Sequence, residues 1–185
     1  MHAIILWKFL LIYNHTMFWI NINSISPCHL LNRCPLHKIK WARIYLNFAR
    51  RHRPSFWPKN TSPWLDMHFH VHRIKRSWDE RYTTANVRCR SCSSRNWYKP
   101  RLELGRDAVS QPECDATLMR SGSPTNSYYP FDFTGAVRAW AEGAPNYGVM
   151  IKLARDDIIS VGWRFWDRHN KNPRLRPFAM VQCAR

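Results

Sequence analysis

The segment 128–181 constrains the fold of this 185-residue chain more than any other part of it. Phe131 and Phe133 lie two positions apart, which predicts a strand that carries both rings on one face. A helical apolar pattern follows over residues 135–142. Alternating apolar residues then recur in three runs, at 149–153, 159–166 and 178–181. Several short strands with one short helix predict a mainly β fold, a β-sandwich.

The predicted helix has sequence signals at both ends. Thr134 offers a hydroxyl that can cap the first turn, and Gly143 suits the left-handed residue that ends a helix. Pro145 prevents continuation. Val137 and Trp140 stand three residues apart, so we expect one apolar stripe that packs on a sheet.

A second strand is predicted at 67–74, where histidines alternate with apolar residues. Its two faces are His68, His70 and His72 on one side and Met67, Phe69 and Val71 on the other. Same-face neighbours on a strand lie about 6.6 Å apart, which is long for three ligands of one ion. We therefore predict a half-buried strand, no metal site and no cofactor.

Glycine and acidic residues are unevenly distributed along the chain. All 6 glycines follow residue 104, and residues 1–65 contain nine Lys and Arg but no acidic residue. The proline-rich stretch 54–64 reads as a connector. We thus expect a sandwich domain over 67–185 that lacks its first strands. Two interpretations stay open for 1–66, a basic disordered segment or sequence wrongly joined to the domain.

The apolar run 3–11 at the start is interrupted by Lys8. A membrane span needs about 20 predominantly apolar residues, so none is assigned here. The formal net charge of +17 raises nucleic acid as a partner. The dense basic clusters 50–53 and 73–76 would carry that alternative function.

Four segments in order resemble a known family. They are Val71–Glu80, Phe131–Trp140, Asn146–Leu153 and Asn172–Pro177. Together they resemble the DNRLRE-type domain, which is grouped with carbohydrate-binding module family 96 and the disaggregatase-related domains and is distantly similar to the transforming growth factor β prodomain. The resemblance implies a secreted jelly roll that binds polysaccharide or attaches other domains at a cell surface.

Aromatic rings that face solvent can stack on sugars, with polar groups to orient them. The candidates for carbohydrate binding are Trp166, Tyr128, Tyr147 and Trp97, together with Arg164, Asp167 and Arg174. For Trp166, packing against a neighbouring loop is an equal alternative. The basic composition favours an acidic polysaccharide as the partner.

No pair of carboxylates can be recognised that would flank a glycosidic bond. Asp79, Glu80, Asp132 and Asp167 each fit a turn or cap, so we predict that the chain is not an enzyme. The 6 cysteines allow 15 disulfide connectivities. The expected function is a non-catalytic extracellular module for carbohydrate or matrix attachment; the alternatives are a basic nucleic-acid-binding protein or a truncated gene model without independent function.

Overall fold

The computed structural model describes residues 2–5, 8–11, 17–21, 36–52, 67–79, 81–84, 86–99, 102–119, 125–154, 162–167 and 169–184. The strands are β1 His2–Ile5, β2 Lys8–Leu11, β3 Met17–Asn21, β4 Ile39–His52, β5 Met67–Arg73, β6 Cys114–Met119, β7 Tyr128–Asp132, β8 Val149–Leu153, β9 Gly162–Phe165 and β10 Phe178–Cys183. Among the described residues an α-helix, α1, spans Thr134–Ala141, and short 3-10 helices span Leu36–Lys38 and Pro173–Leu175.

The strands form two antiparallel sheets. In the first sheet the order is β1-β10-β4-β7, and β9 pairs with the far end of β4. In the second sheet the order is β2-β3-β8-β5-β6. The predicted β-sandwich with one short helix is confirmed.

The core lies between the two sheets. Phe131 of the first sheet meets Phe69 of the second edge to face, with ring centroids 5.7 Å apart. Phe165 also packs edge to face on Phe69, at 6.3 Å. The buried aliphatic residues of this cluster come from both sheets, namely Ile44, Leu46 and Val181 of the first and Val71, Val149 and Ile151 of the second. Burial of these alternating apolar residues is the main force that holds the sheets together.

Helix α1 closes one end of this core. Val137 and Trp140 are buried, as predicted, and Trp140 lies 6.2 Å from the ring of Phe133. Gly143 adopts φ +102°, and the amides of Gly143 and Ala144 donate to carbonyls of the last turn. This is a Schellman ending, for which glycine is favoured.

The start of α1 differs from the prediction. The capping position is Phe133, which makes no side-chain cap hydrogen bond. The Thr134 hydroxyl instead accepts a hydrogen bond from the Ala42 amide at 2.9 Å. The predicted cap is therefore wrong, because this hydroxyl is used to fasten the helix to β4.

The segment 1–66 also differs from the expectation. Strand β4, from this segment, lies between β10 and β7 in the first sheet, and Ala42, Ile44, Leu46 and Phe48 are buried in the core. Strands β1 to β3 extend both sheets. The boundary at residue 66 thus does not divide a sandwich from a disordered tail, since the longest strand precedes it.

The remaining predicted elements are found where the sequence placed them. Strands β5 and β8 match the predicted runs, and β10 begins directly after Pro177. Strand β7 ends at Asp132, so Phe133, predicted to share this strand with Phe131, lies at the start of α1 instead. Of the run 159–166, β9 supplies Gly162–Phe165, and residues 159–161 lie outside the described residues. No helix in the described part of the chain is long and apolar enough to cross a membrane.

The connection between β5 and β6 forms an irregular cap of residues 74–113, which has its own small apolar cluster. That cluster consists of Ile74, Trp78, Trp97, Leu102, Ala108 and Met150. The fully buried carboxylate of Asp107 holds the cap together, since it accepts hydrogen bonds from Arg76 Nη1 and from the Tyr98 and Glu103 amides. We call this region the β5–β6 cap.

Candidate aromatic face on the first sheet

Strand β4 presents Trp41, Arg43 and Tyr45 to the outside. Trp41 and Tyr45 are half-buried and Arg43 is exposed, whereas the even-numbered residues 42–48 point into the core. The alternation follows from the pleat of a strand. Trp41 and Tyr45, four positions apart, stand about 13 Å apart along β4.

The neighbouring strands add further rings to the same side. Phe178 of β10 pairs with Tyr45, and Tyr128 of β7 pairs with Asn47. Both rings are half-buried. We call the set of Trp41, Tyr45, Tyr128 and Phe178 the aromatic face.

Three of these rings contact one another. The rings of Tyr45 and Phe178 are stacked with centroids 4.8 Å apart, and Tyr128 meets Phe178 edge to face at 4.9 Å. The Tyr128 hydroxyl lies 2.7 Å from the carbonyl oxygen of Arg174 and 2.8 Å from that of Arg176, and it donates to this pair. Partial burial raises the pKa of Tyr128, against a smaller opposing effect of the Asn47 side chain. The phenol is therefore a fixed hydrogen-bond donor at neutral pH.

Charge is concentrated at the Trp41 end of the aromatic face. The guanidinium of Arg43 lies 4.8 Å above the Trp41 ring, and its Nε is 3.9 Å from Asp132 Oδ2. Both charged side chains are substantially exposed, at 44% and 38%. Such a solvent-screened pair contributes little to stability, so a ligand can displace it at little cost to the fold.

The opposite end of the aromatic face is built on two asparagines. Asn47 donates from Nδ2 to the Asn126 carbonyl at 3.2 Å, and Asn126 Oδ1 accepts from the Trp166 indole at 3.0 Å. The Trp166 amide donates to the Asn47 carbonyl. Asn47 Oδ1 is buried and has no hydrogen-bond partner among the described residues. This end thus holds one buried acceptor that the described residues do not satisfy.

The structure brings three of the predicted site residues to this end: Tyr128, Arg174 and Trp166. The Trp166 indole donates a hydrogen bond to Asn126 in the loop before β7. This contact corresponds to the alternative in which Trp166 packs against a neighbouring loop. Asp167 Oδ1 accepts from the His169 amide and so shapes the turn.

The other predicted residues lie elsewhere or outside the description. Tyr147 packs on the apolar cluster of the β5–β6 cap, and its carbonyl accepts from the Trp78 indole at 2.6 Å. Trp97 is 4% exposed in the same cluster, so its predicted exposure is wrong. The Arg164 side chain lies outside the described residues, although its backbone pairs with Arg50 in β9 and β4.

The sequence reasoning missed Trp41, Tyr45 and Phe178. A signal was present, because Ala42, Ile44, Leu46 and Phe48 alternate with Trp41, Arg43, Tyr45 and Asn47 as in a half-buried strand. Residues 1–65 contain no glycine and no acidic residue, and this unusual composition outweighed the alternation.

The basic cluster 73–76, which would carry the alternative function of nucleic-acid binding, is occupied by contacts within the protein. Arg73 Nε lies 3.3 Å from Glu113 Oε1, and Arg76 Nη1 lies 3.0 Å from Asp107 Oδ1. Lys75 Nζ donates to the Gly105 carbonyl. The side chains of Arg50–Arg53 lie outside the described residues.

The histidines of β5 differ from one another in their surroundings. His68 is exposed, whereas His72 is 1% exposed beneath the β5–β6 cap, with Nδ1 2.9 Å from the Val109 carbonyl oxygen. Burial lowers the pKa of His72, as do the charges of His70 and Lys152, against the hydrogen bond to Val109. In the described part of the chain no three His, Cys, Asp or Glu side chains are grouped so that they could hold a metal ion.

In comparisons with known proteins, no family model and no curated protein matches this chain.

Proposed function

We propose that this chain is a non-catalytic carbohydrate-binding module and that the aromatic face of the first sheet is its binding surface. The observation that carries the proposal is the placement of four half-buried rings across three adjacent strands, β7, β4 and β10. Aromatic rings bury much apolar area in well-defined orientations, which suits the flat apolar side of a sugar ring. The length of the face accommodates more than one sugar ring.

The polar groups around the rings suit hydroxyl and carboxyl groups of a glycan. Arg43 lies over Trp41 and pairs with Asp132, and the exposed Arg174 lies at the Tyr128 end. Arg43, Arg174 and the net charge of +17 favour an acidic polysaccharide such as a uronic-acid polymer. The resemblance to the DNRLRE-type domain implies the same class of ligand.

Binding without catalysis is supported by the chemistry of the face. Hydrolysis of a glycoside by the usual route needs two carboxyl groups that flank the bond. Among the described outward residues of β4, β7 and β10, Asp132 is the one carboxylate, and it already accepts the Thr134 amide and pairs with Arg43.

An extracellular location is supported by the cysteines. Cys183 is disulfide-bonded. Disulfides persist mainly in oxidising compartments.

Calorimetric titration of the whole chain with an oligouronate, at physiological and at high salt, tests the proposal. We expect binding that weakens but persists at high salt, because stacking on rings is not screened. Trp41→Ala should reduce the affinity at least about tenfold, as for a buried aromatic anchor. The matched control is Tyr98→Ala, which removes an exposed ring from the β5–β6 cap.

Two results would contradict this function. One is an affinity for oligouronate that Trp41→Ala leaves unchanged. The other is a preference for single-stranded nucleic acid that disappears steeply with salt, which supports the alternative of a nucleic-acid-binding protein.

A further inference from the structure

We propose that the Cys89–Cys92 bridge is an exchangeable disulfide, attacked at Cys92 by a low-molecular-weight thiol, and not a structural cross-link. The bridge closes a separation of 3 residues in the β5–β6 cap. A cross-link stabilises mainly by restricting the unfolded chain, and the restriction is smallest for short loops. This bridge therefore contributes less to folding than a long-range one.

The loop that contains the bridge is closed without it. The amides of Arg88 and Cys89 both donate to the Arg95 carbonyl, at 2.7 and 3.3 Å. Arg88 Nη2 donates to the Ser94 carbonyl at 2.6 Å, and Arg88 Nη1 donates to the Ser77 carbonyl. The buried guanidinium of Arg88 thus fixes both the loop and its neighbour, so the fold does not depend on the sulfur–sulfur bond.

The two sulfurs are not equally accessible. Cys89 is 3% exposed, whereas Cys92 is partly exposed beside the exposed Ser91 and Ser93. An attacking thiolate therefore reaches Cys92 Sγ first. Residues 86–99 carry four basic and no acidic residues, Arg88, Arg90, Arg95 and Lys99, and such a basic environment favours thiolates.

A serine hydroxyl stands next to each sulfur. Ser77 Oγ lies 4.0 Å from Cys92 Sγ, and Ser91 Oγ lies 4.0 Å from Cys89 Sγ. Arg88 Nη1 donates to Ser77 Oγ at 3.0 Å, so the Ser77 proton is directed away from the guanidinium and can be donated to sulfur. Arg88 and Ser77 together form a relay that stabilises negative charge on Cys92.

The exchange proceeds in two balanced steps. A thiolate of glutathione attacks Cys92 Sγ, the Cys89–Cys92 bond breaks, and its electron pair leaves on Cys89 Sγ, which takes a proton from water. A second glutathione thiolate attacks the glutathione sulfur of the mixed disulfide, and Cys92 leaves as a thiolate that accepts the Ser77 hydrogen bond. The protein gains two electrons and two glutathione molecules become one glutathione disulfide.

Incubation of the full chain in glutathione redox buffers, followed by thiol alkylation and peptide mass spectrometry, tests the inference. We expect the Cys89–Cys92 bridge to open at a more oxidising buffer than the Cys183 disulfide, with the glutathione adduct on Cys92. The double variant Cys89→Ser with Cys92→Ser should keep the melting temperature of the oxidised protein. A bridge that resists reduction as strongly as the Cys183 disulfide, or an adduct confined to Cys89, overturns the inference.

Ser77→Ala tests whether the hydrogen bond from Ser77 assists the exchange, or whether the exposure of Cys92 alone accounts for it. Its backbone carbonyl still holds Arg88, so the loop should stay folded. The second step loses a hydrogen bond to the leaving thiolate, and the mixed disulfide should persist about tenfold longer. Ser94→Ala, which removes a hydroxyl of the same loop that contacts Asn96 instead of sulfur, should leave this lifetime unchanged. Equal lifetimes in Ser77→Ala and the native chain contradict the relay.

Discussion

The ring of Tyr45 lies flat against the ring of Phe178, with an interplanar angle of 11° and centroids 4.8 Å apart. The two residues belong to neighbouring strands, and the register pairs them directly. Each ring restricts the rotamers of the other, so their exposed surfaces are already oriented before a ligand arrives.

Tyr45→Ala should therefore weaken binding of an oligouronate at least about tenfold. The change removes an aromatic pair that contributes about 0.5–1.5 kcal/mol beyond area burial, so the free energy of unfolding should fall only modestly. Titration calorimetry and urea unfolding measure the two effects separately. Tyr82→Ala, which removes a ring that is 40% exposed on the β5–β6 cap, is the control and should change neither quantity.

Trp140→Ala should lower the free energy of unfolding by roughly 3–5 kcal/mol, because it opens a cavity under helix α1. Trp140 is 5% exposed, and its indole N–H is buried without a partner among the described residues. Trp140→Phe should consequently cost much less, since no hydrogen bond is lost. Guanidinium unfolding of both variants tests this, and an equal cost for both contradicts the cavity argument.

The buried His72 should make stability depend on pH. Its pKa in the folded protein lies below the unfolded value of 6.5, first because of burial. The unfolded chain then takes up the proton first as the pH falls, so this contribution to stability is complete above about pH 6.5 and is lost below it.

His72→Asn keeps an N–H that can reach the Val109 carbonyl but removes the titration. The decrease in stability between pH 7 and pH 5 should be smaller in this variant than in the native chain, as measured by urea unfolding across that range. His68→Asn, on the same strand but exposed, should behave as the native chain does. A steeper decrease in His72→Asn than in the native chain contradicts the buried neutral state.

Asp107→Asn should loosen the β5–β6 cap. The carboxylate is fully buried and accepts from Arg76, Tyr98 and Glu103. In asparagine an NH2 group, which cannot accept a hydrogen bond, replaces one of the two accepting oxygens. We expect a loss of roughly 3 kcal/mol. Hydrogen exchange of the Tyr98 and Glu103 amides should accelerate relative to that of the β4 amides.

The control for this change is Asp79→Asn. Asp79 pairs with Arg81, whose side chain is 79% exposed, so the substitution should cost under about 1 kcal/mol. Unchanged exchange of the Tyr98 amide in Asp107→Asn contradicts the central role of this carboxylate.

Local patterns in the sequence were sufficient to predict several of the strands and the end of the helix. The alternation of β5 and the glycine that ends α1 each depend on residues within one element, and the structure has them as predicted. Phe131 and Phe133 are both buried, although β7 ends between them. Strand β4 carries an equally clear alternation, but the unusual composition of segment 1–66 argued against it. Composition describes a segment on average and says nothing about which strand it pairs with.

The aromatic face could not be predicted as a site, for a different reason. Its rings come from β4, β7 and β10, and Tyr45 and Phe178 are brought together only by the order of strands in the sheet. Thr134 shows the same limit, because its hydroxyl bonds to Ala42, a residue 92 positions away. Trp97 was predicted to be exposed because nothing local shows that the β5–β6 cap has an apolar cluster of its own.

The most direct measurement of the proposed function is hydrogen exchange of the full chain with and without a uronic-acid oligosaccharide, resolved by peptide mass spectrometry. Binding at the aromatic face predicts added protection in the segments 41–47, 128–132 and 178–182, which form adjacent strands of the first sheet. Protection confined to the β5–β6 cap at 74–113, with these three segments unchanged, would contradict the account.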